Sequence, residues 1–465
     1  MLIKAFPETQ CNVTRLATAA IISLALLCLQ PPTAITAEAS QHYQNWQANL
    51  WLSAKQAGIS KKTFDAAINA TSPNYKLPRV RTLKSWSRII ANQKAKLKSG
   101  KPSKTSSLKE GLPLSCHRPR QKEFLFPTLY FPQKHIRSLV KKGQAIKKRH
   151  ARILAKIEKE YGVDINVVLA IWGRETAYGQ AQNRYKGIET WVSLAYAGPP
   201  EQRAAHREDL IYALKFIDEG HIKLKDYKTS FAGASGYTQF TPRVFAQYAV
   251  DFDGDGRKNI WTSIPDAVAS TANYLIGIGW QSGQRWGDEI IIPKSFDCAL
   301  EGPNGRRPIT EWRSIGMRFA KTSLSKYTKE PPKERLAQLM SPAGTKGPVF
   351  LVQENFEVFR RYNKADLYAL FVGHLSDRIG CDKATRECTF KGAWPQKDTF
   401  NFTRKRICKM QINARKLKAA TETPDGLFGG KTRVGIGTYE KMKGLKPTCF
   451  PSNRLLKLQA QYLNP

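Results

Sequence analysis

Glu175 stands alone in an apolar, aromatic run, AIWGRETAYGQ over 170–180, with Trp172 three residues before it and Tyr178 three after. Residues three and four apart are neighbours on a helix, so this spacing predicts that both rings flank the carboxylate. A carboxyl group held against aromatic walls is disfavoured in its charged form. It stays protonated and can donate a proton. The competing reading is a surface glutamate paired with Arg174.

A second cluster is DFDGDGRKNIWT, residues 251–262. Asp251, Asp253 and Asp255 fall at positions 1, 3 and 5 of an EF-hand-type loop. Gly256 stands where the chain must turn sharply, and Arg257 could offer its carbonyl at the next position. Aspartates this close repel one another without a cation, so a bound structural Ca2+ is expected. Thr262 replaces the terminal glutamate of that motif, and Asp266 could reach back as a substitute. Asp266 has a rival role, because Ser263 and Asp266 also read as a capping box with Pro265 in the first turn.

GASGYTQFTP, residues 233–242, brings hydroxyls and an amide to one loop without charge, which suits sugars, although ordinary turns share this composition. GGKT at 429–432 is not a phosphate-binding loop, since Asp425 occupies the position of the required first glycine. No G-x-S-x-G elbow and no C-x-x-C zinc pattern occurs.

The elements that must position these residues are mainly helical. Two short helices are expected around Gly58. From Val140 to Tyr161, Ile146, His150, Ile153, Ile157 and Tyr161 share a helical face. The chain then turns at Gly162 into a helix capped by Asp164. That helix is apolar nearly all round and is therefore expected to be buried and central, with Glu175 near its end. Helices are also expected at 208–218 and 265–278, and strands at 289–293 and 348–352. The predicted order is a leader over 1–39, N-terminal helices and a basic linker over 40–130, a mostly helical domain over 131–380, a linker over 381–400 and a small helical unit over 401–463.

The 465-residue chain has 75 Lys and Arg against 37 Asp and Glu, a formal net charge of +38. Such an excess implies a polyanionic partner. The apolar stretch 16–29 behind Lys4 and Arg15, with AEA at 37–39, reads as an export signal cut after Ala39. No later run is apolar enough for a membrane helix. Export argues for a periplasmic protein on a carboxylate- and phosphate-rich wall rather than on nucleic acid. Six cysteines follow the leader, and six cysteines allow about 15 pairings. The pairings expected first are Cys381 with Cys388 and Cys408 with Cys449, leaving Cys116 with Cys298.

Five blocks in order, YGVDINVVLAIWGRETAYGQ, SFAGASGYTQFTP, YAVDFDGDGRKNIW, DAVASTANYL and RYNKADLYAL, resemble the lytic murein transglycosylase B family over about 130–375. PDGLFGGKTR at 424–433 resembles the signature of a small three-helix peptidoglycan-binding module. The resemblance implies a lysozyme-like, mainly α catalytic domain with a short β region. It implies cleavage of peptidoglycan glycan strands between N-acetylmuramic acid and N-acetylglucosamine without water, and no cofactor for the chemistry. Glu175 would be the sole acid and base, with Glu189 and Asp209 the other acids to weigh. Ser230 and Gln239 would line the cleft at the reacting sugars. Tyr237, Phe240, Tyr274, Tyr362, Asn363 and Tyr368 would build its walls, and Arg203 would meet a muramyl peptide or lactyl carboxylate. Core packing is the competing role for each aromatic. Thr238 stands where the family usually carries a small residue. The rival functions are a hydrolytic muramidase and a non-catalytic wall-binding scaffold.

Overall fold

The computed structural model describes residues 32–80, 112–117, 124, 126–181, 183–301, 305–320, 333–381 and 388–463. Residues 1–31 of the expected leader, and most of the basic stretch before residue 123, lie outside the described residues. The chain forms two units, 1–70 and 71–465.

In the first unit, helices α1 (Pro32–Gln56) and α2 (Lys61–Ile68) flank Gly58, though α1, at 25 residues, is not the short helix expected. Ser60 caps α2 by accepting from Thr63 N at 3.2 Å. The Trp51 and Phe64 rings meet at 5.1 Å, and Gln47 Nε2 donates to Ile68 O at 3.1 Å.

In the second unit, two 3-10 turns at Leu114–His117 and Pro127–Tyr130 precede α3 (Gln133–Arg149) and α4 (Ala151–Tyr161). The single helical run expected to end at Tyr161 is thus broken at His150, whose φ of −110° and ψ of 23° leave the helical region. α3 buries Ile136, Leu139 and Val140, and α4 buries Leu154 and Ile157, so both halves still face the core. Gly162, at a φ of 62°, closes α4. α5 (Ile165–Thr176) follows, capped by Asp164, which accepts from Asn166 N at 2.9 Å. α5 is buried without interruption from Ile165 to Gly173, the central helix the sequence predicted.

β1 (Tyr185–Lys186) leads into α6 (Gly187–Ala197) and α7 (Arg203–Asp218), which pack together. β2 (Lys228–Thr229) returns antiparallel to β1. α8 (Pro242–Tyr248) and α9 (Ile264–Gly277) carry the chain to a five-stranded antiparallel sheet. Its strands are β3 (Gly287–Ile291), β4 (Arg307–Pro308), β5 (Arg318–Phe319), β6 (Leu336–Met340) and β7 (Val349–Val352), in the order β4-β6-β7-β3-β5. β3 and β7 are the two strands read from sequence, and they are direct neighbours, with Ile290 opposite Val349. A short helix, α10 (Ile309–Ser314), follows β4. α11 (Glu354–Tyr362) and α12 (Asp366–Gly380) complete the helical core, where α12 lies against α5. Three helices end the chain: α13 (Arg404–Lys416), α14 (Gly430–Met442) and α15 (Asn453–Gln461).

The disulfides are Cys116–Cys408, Cys298–Cys449 and Cys381–Cys388. Only the last was expected; the pairings of Cys408 with Cys449 and of Cys116 with Cys298 are not formed. Proximity in sequence was the wrong guide. Cys408 on α13 is buried against Cys116 and Leu112, and the loop carrying Cys449 packs on the Cys298 turn. Two of the three bridges therefore fasten the C-terminal helices to distant parts of the chain.

Candidate active site

α5 is buried until its last turn, where Arg174 and Glu175 become half-buried. The helix stops because Ala177, Tyr178 and Gly179 adopt φ values of 50°, 63° and 82°. Two consecutive non-glycine residues in the left-handed region are costly, and such strain collects at functional sites. Thr176 holds the turn: its hydroxyl accepts from Gly179 N at 3.1 Å and donates to Tyr237 O at 2.7 Å. One side chain thus fixes the end of α5 to the 233–242 loop.

This turn corrects the picture drawn from spacing. Tyr178 does not continue the helix beyond Glu175. It folds back over Gly173, where a Cβ would lie 2.7 Å from its hydroxyl, so only glycine fits. The Tyr178 ring meets Trp172 edge-on at 5.5 Å, and Trp172 stacks on Tyr237 at 4.7 Å. The ring that reaches Glu175 comes from α12: Tyr368 Oη donates to Glu175 Oε1 at 2.5 Å. Arg174 is turned elsewhere, with its guanidinium 4.5 Å from the Tyr130 ring and 5.0 Å from that of Phe371.

Around this pair lies a layer of phenols. The Tyr362 and Tyr368 rings are nearly parallel with centroids 6.4 Å apart, and Tyr274 stands 5.2 Å from Tyr362. Tyr362 Oη donates to Thr238 O at 2.5 Å. Burial, and then the charge of Glu175, push the Tyr362 and Tyr368 phenols well above their ordinary range. Both therefore remain protonated donors. Thr238 is buried, and its hydroxyl meets that of Thr271 at 3.0 Å.

The 233–242 loop is a tight turn. Ser235 and Phe240 exchange backbone hydrogen bonds, both at 2.9 Å. Gln239 sits at a φ of 59°, and its Nε2 donates to Gly236 O at 2.9 Å. Phe240 is only 2 % exposed and meets Tyr274 at 5.5 Å, so it backs the wall rather than facing a ligand. Ser230 belongs to an adjoining turn, where its hydroxyl accepts from Ala232 N at 3.3 Å. Asn363 closes α11, and its Oδ1 accepts from Ala365 N at 3.2 Å just before α12. Arg203 is exposed and donates through Nε to Gly198 O at 2.9 Å, which secures the turn before α7. That bond does not join it to the Glu175 cluster.

The other two acids are engaged away from Glu175. Glu189 Oε1 accepts from Asn74 Nδ2 at 2.7 Å. Asp209 Oδ1 accepts from Arg243 N at 3.1 Å, and burial pushes its carboxyl up.

Asp251, Asp253, Asp255 and Asp266 each offer an oxygen to one point, all within 4.8 Å of one another. Asp251 accepts from the backbone of Gly254, Asp255 and Gly256 at 2.8, 3.1 and 2.8 Å. Asp266 is fully buried and accepts from Phe252, Asp253 and Asn259 N at 2.8, 3.2 and 2.8 Å. Its own N–H donates to Ser263 Oγ at 3.3 Å, so Ser263 caps α9, but Ser263 N donates to Asn259 O at 3.2 Å and the Asp266 carboxylate closes the loop instead of completing a capping box. The side chain of Arg257 pairs with Asp255 at 3.1 Å, and its carbonyl accepts from Asn259 N at 3.1 Å. Four converging carboxylates with one arginine at the rim fit a hard, oxygen-liganded cation such as Ca2+. The loop also supports the site, because Tyr237 N donates to Ile260 O at 3.0 Å.

Thr176 and Thr271 are the positioning residues that sequence reasoning missed. Neither carried a local signal, because the left-handed turn beside Thr176 falls on Ala177 and Tyr178, residue types that do not mark one.

Comparison with known proteins agrees with this geometry. Residues 42–377 match the Transglycosylase SLT domain family. The chain is 30% identical over 240 residues to membrane-bound lytic murein transglycosylase B of Escherichia coli, a match spanning 52% of this chain and 63% of that protein. The matched part is thus less than two thirds of that relative's length. The fold is similar to that of SltB3 from Pseudomonas aeruginosa, solved with NAG-anhNAM-pentapeptide, at a TM-score of 0.71 and 31% identity, covering 90% of this chain and 99% of that one. The same protein with NAG-NAM-pentapeptide matches at a TM-score of 0.69. No described helix is long and apolar enough to cross a membrane. The family match, the mainly helical fold and the lone carboxylate at the end of its central helix agree, and the chain belongs to the SLT transglycosylase family.

Proposed function

We propose that this protein is a lytic murein transglycosylase that cleaves the bond between N-acetylmuramic acid and N-acetylglucosamine in peptidoglycan. The observation that carries this reading is the contact of Glu175 with Tyr368 inside a layer of phenols and backbone carbonyls. This is a proton-transfer group in a neutral, hydrogen-bonding wall suited to sugar hydroxyls.

Glu175 first gives its proton to the bridging oxygen, and the bond to muramic acid C1 breaks. The substrate's own N-acetyl oxygen bonds to C1 and takes the place of a second carboxylate. Glu175, now ionised, removes the proton from the C6 hydroxyl, whose oxygen attacks C1 and displaces the acetamido oxygen. The product ends in a 1,6-anhydro ring, and Glu175 is protonated again. Two-carboxylate hydrolysis needs a second acid near the first. Glu189 and Asp209 hydrogen-bond elsewhere, which supports the one-carboxylate route. Tyr368 steadies the ionised form, and Gln239, Ser230, Asn363, Tyr237, Tyr274 and Tyr362 supply the polar wall.

The chemistry needs no cofactor. Asp251, Asp253, Asp255 and Asp266 would hold a structural Ca2+, which would steady the loop that bonds Tyr237 N through Ile260 O. A net charge of +38 and the leader-like N-terminus favour work in the periplasm on an anionic wall. The C-terminal helices are a divergent wall-binding module. The test is digestion of purified peptidoglycan by the wild type and Glu175→Gln. Anhydro-ended fragments made by the wild type alone support the reading. A folded, wall-binding wild type that releases nothing overturns it in favour of a scaffold.

A further inference from the structure

The C-terminal helices reach the proposed active site through one arginine. Arg433, the last residue of the PDGLFGGKTR segment, lies on α14 and is 2 % exposed. Its Nε is 3.0 Å from both oxygens of Glu301, and its Nη2 donates to Asp366 Oδ2 at 2.9 Å. Asp366 is the first residue of α12, two residues before Tyr368. Tyr368 in turn holds Glu175. Arg360 completes the ring of charges, 3.2 Å from Asp366.

Both ends of this connection are anchored. Cys298, three residues before Glu301, is bonded to Cys449 behind α14. Glu440 on α14 accepts from Cys449 N at 2.9 Å. Apart from the exposed Lys431, the rest of the segment is buried or half-buried. Asp425, Gly429 and Thr432 line a cavity of about 660 Å3 together with Glu301, Arg360 and Asp366. A buried guanidinium without carboxylate partners would be very costly, so this docking is specific.

We propose that Arg433 is a positioning residue for the reaction: through Asp366 it fixes the start of α12 and thereby the placement of the Tyr368 hydroxyl on Glu175. The segment read from sequence as a wall-binding signature then has an internal task. The inference rests on the function proposed above.

Removing Arg433 itself would strand the buried Glu301 carboxylate and endanger folding. The test is therefore a double-mutant cycle of Asp366→Asn with Tyr368→Phe, which leaves the Arg433–Glu301 pair in place. Turnover, KM and melting temperature are measured on isolated glycan strands for all four proteins. If Asp366 acts through Tyr368, Asp366→Asn lowers kcat about fivefold in the wild type, leaves KM unchanged, and has no further effect once Tyr368 is Phe. An equal fold-loss in both backgrounds, or a loss confined to the melting temperature, overturns the proposal while the transglycosylase reading stands. A wild type that releases no anhydro fragments overturns both.

Discussion

Tyr368 Oη lies 2.5 Å from Glu175 Oε1, although 193 residues separate the two in sequence. The bond joins the ends of two buried helices. It gives the proton-transfer group one defined position and a donor that strengthens as the carboxylate ionises. Tyr368→Phe keeps the ring and removes only this donor. A hydrogen bond to a charged group is worth about 1.5–3 kcal/mol, so turnover should fall roughly tenfold to a hundredfold. KM and melting temperature should change little. Steady-state kinetics on glycan strands checks this, and a variant with wild-type turnover would remove Tyr368 from the site.

The acidic loop predicts cation-dependent stability. Ca2+ that binds the folded form alone raises stability by about 2.7 kcal/mol at a hundred times its dissociation constant. Melting curves with added Ca2+ and with chelator should therefore separate for the wild type and coincide for Asp251→Asn. Coincident wild-type curves would mean a loop held by its own backbone hydrogen bonds.

The disulfide pattern predicts a peptide map. Digestion without reductant should yield the linked pairs Cys116–Cys408, Cys298–Cys449 and Cys381–Cys388. A Cys408–Cys449 peptide would contradict the placement of the C-terminal helices.

Two residues one turn apart on α12 should contribute to the pH dependence of stability with opposite signs. Burial pushes His374 down to about 3 and Asp377 up to about 6. His374 is neutral in the fold, so its contribution is full above its unfolded value near 6.5 and is lost as pH falls toward 3. Asp377 has the opposite sign. Its contribution is full below its unfolded value of 3.8 and is lost as pH rises through about 6. At 1.36 kcal/mol per unit the two amount to about 5 and about 3 kcal/mol, so within this pair the histidine prevails and the pair favours the fold less in acid. As pH falls from 7 to 4, the melting temperature should drop less steeply for His374→Phe and more steeply for Asp377→Asn.

Much of this was legible in the sequence because local patterns carried it. The apolar run after Asp164 marked a buried helix, and the cap and its burial are as expected. The three aspartates marked a loop whose carboxylates do converge. β3 and β7 stood out as β-branched runs. β4, β5 and β6 did not, because two are only two residues long and LAQLM has no period that separates strand from helix. The site failed where it depended on tertiary contact. Tyr178 was expected to continue the helix beside Glu175, but three left-handed residues reverse the chain after α5, and the ring that bonds the carboxylate is that of Tyr368. Nothing near Arg203 revealed that it would bond its own turn, and nothing near Cys408 pointed to Cys116.

The most direct test of the central claim is digestion of peptidoglycan in water enriched in oxygen-18, with the products weighed. Attack by the C6 hydroxyl leaves no place for solvent oxygen. Fragments should therefore be one water lighter than hydrolysis products and carry no label. Reducing ends that contain oxygen-18 would contradict the account and make the protein a muramidase.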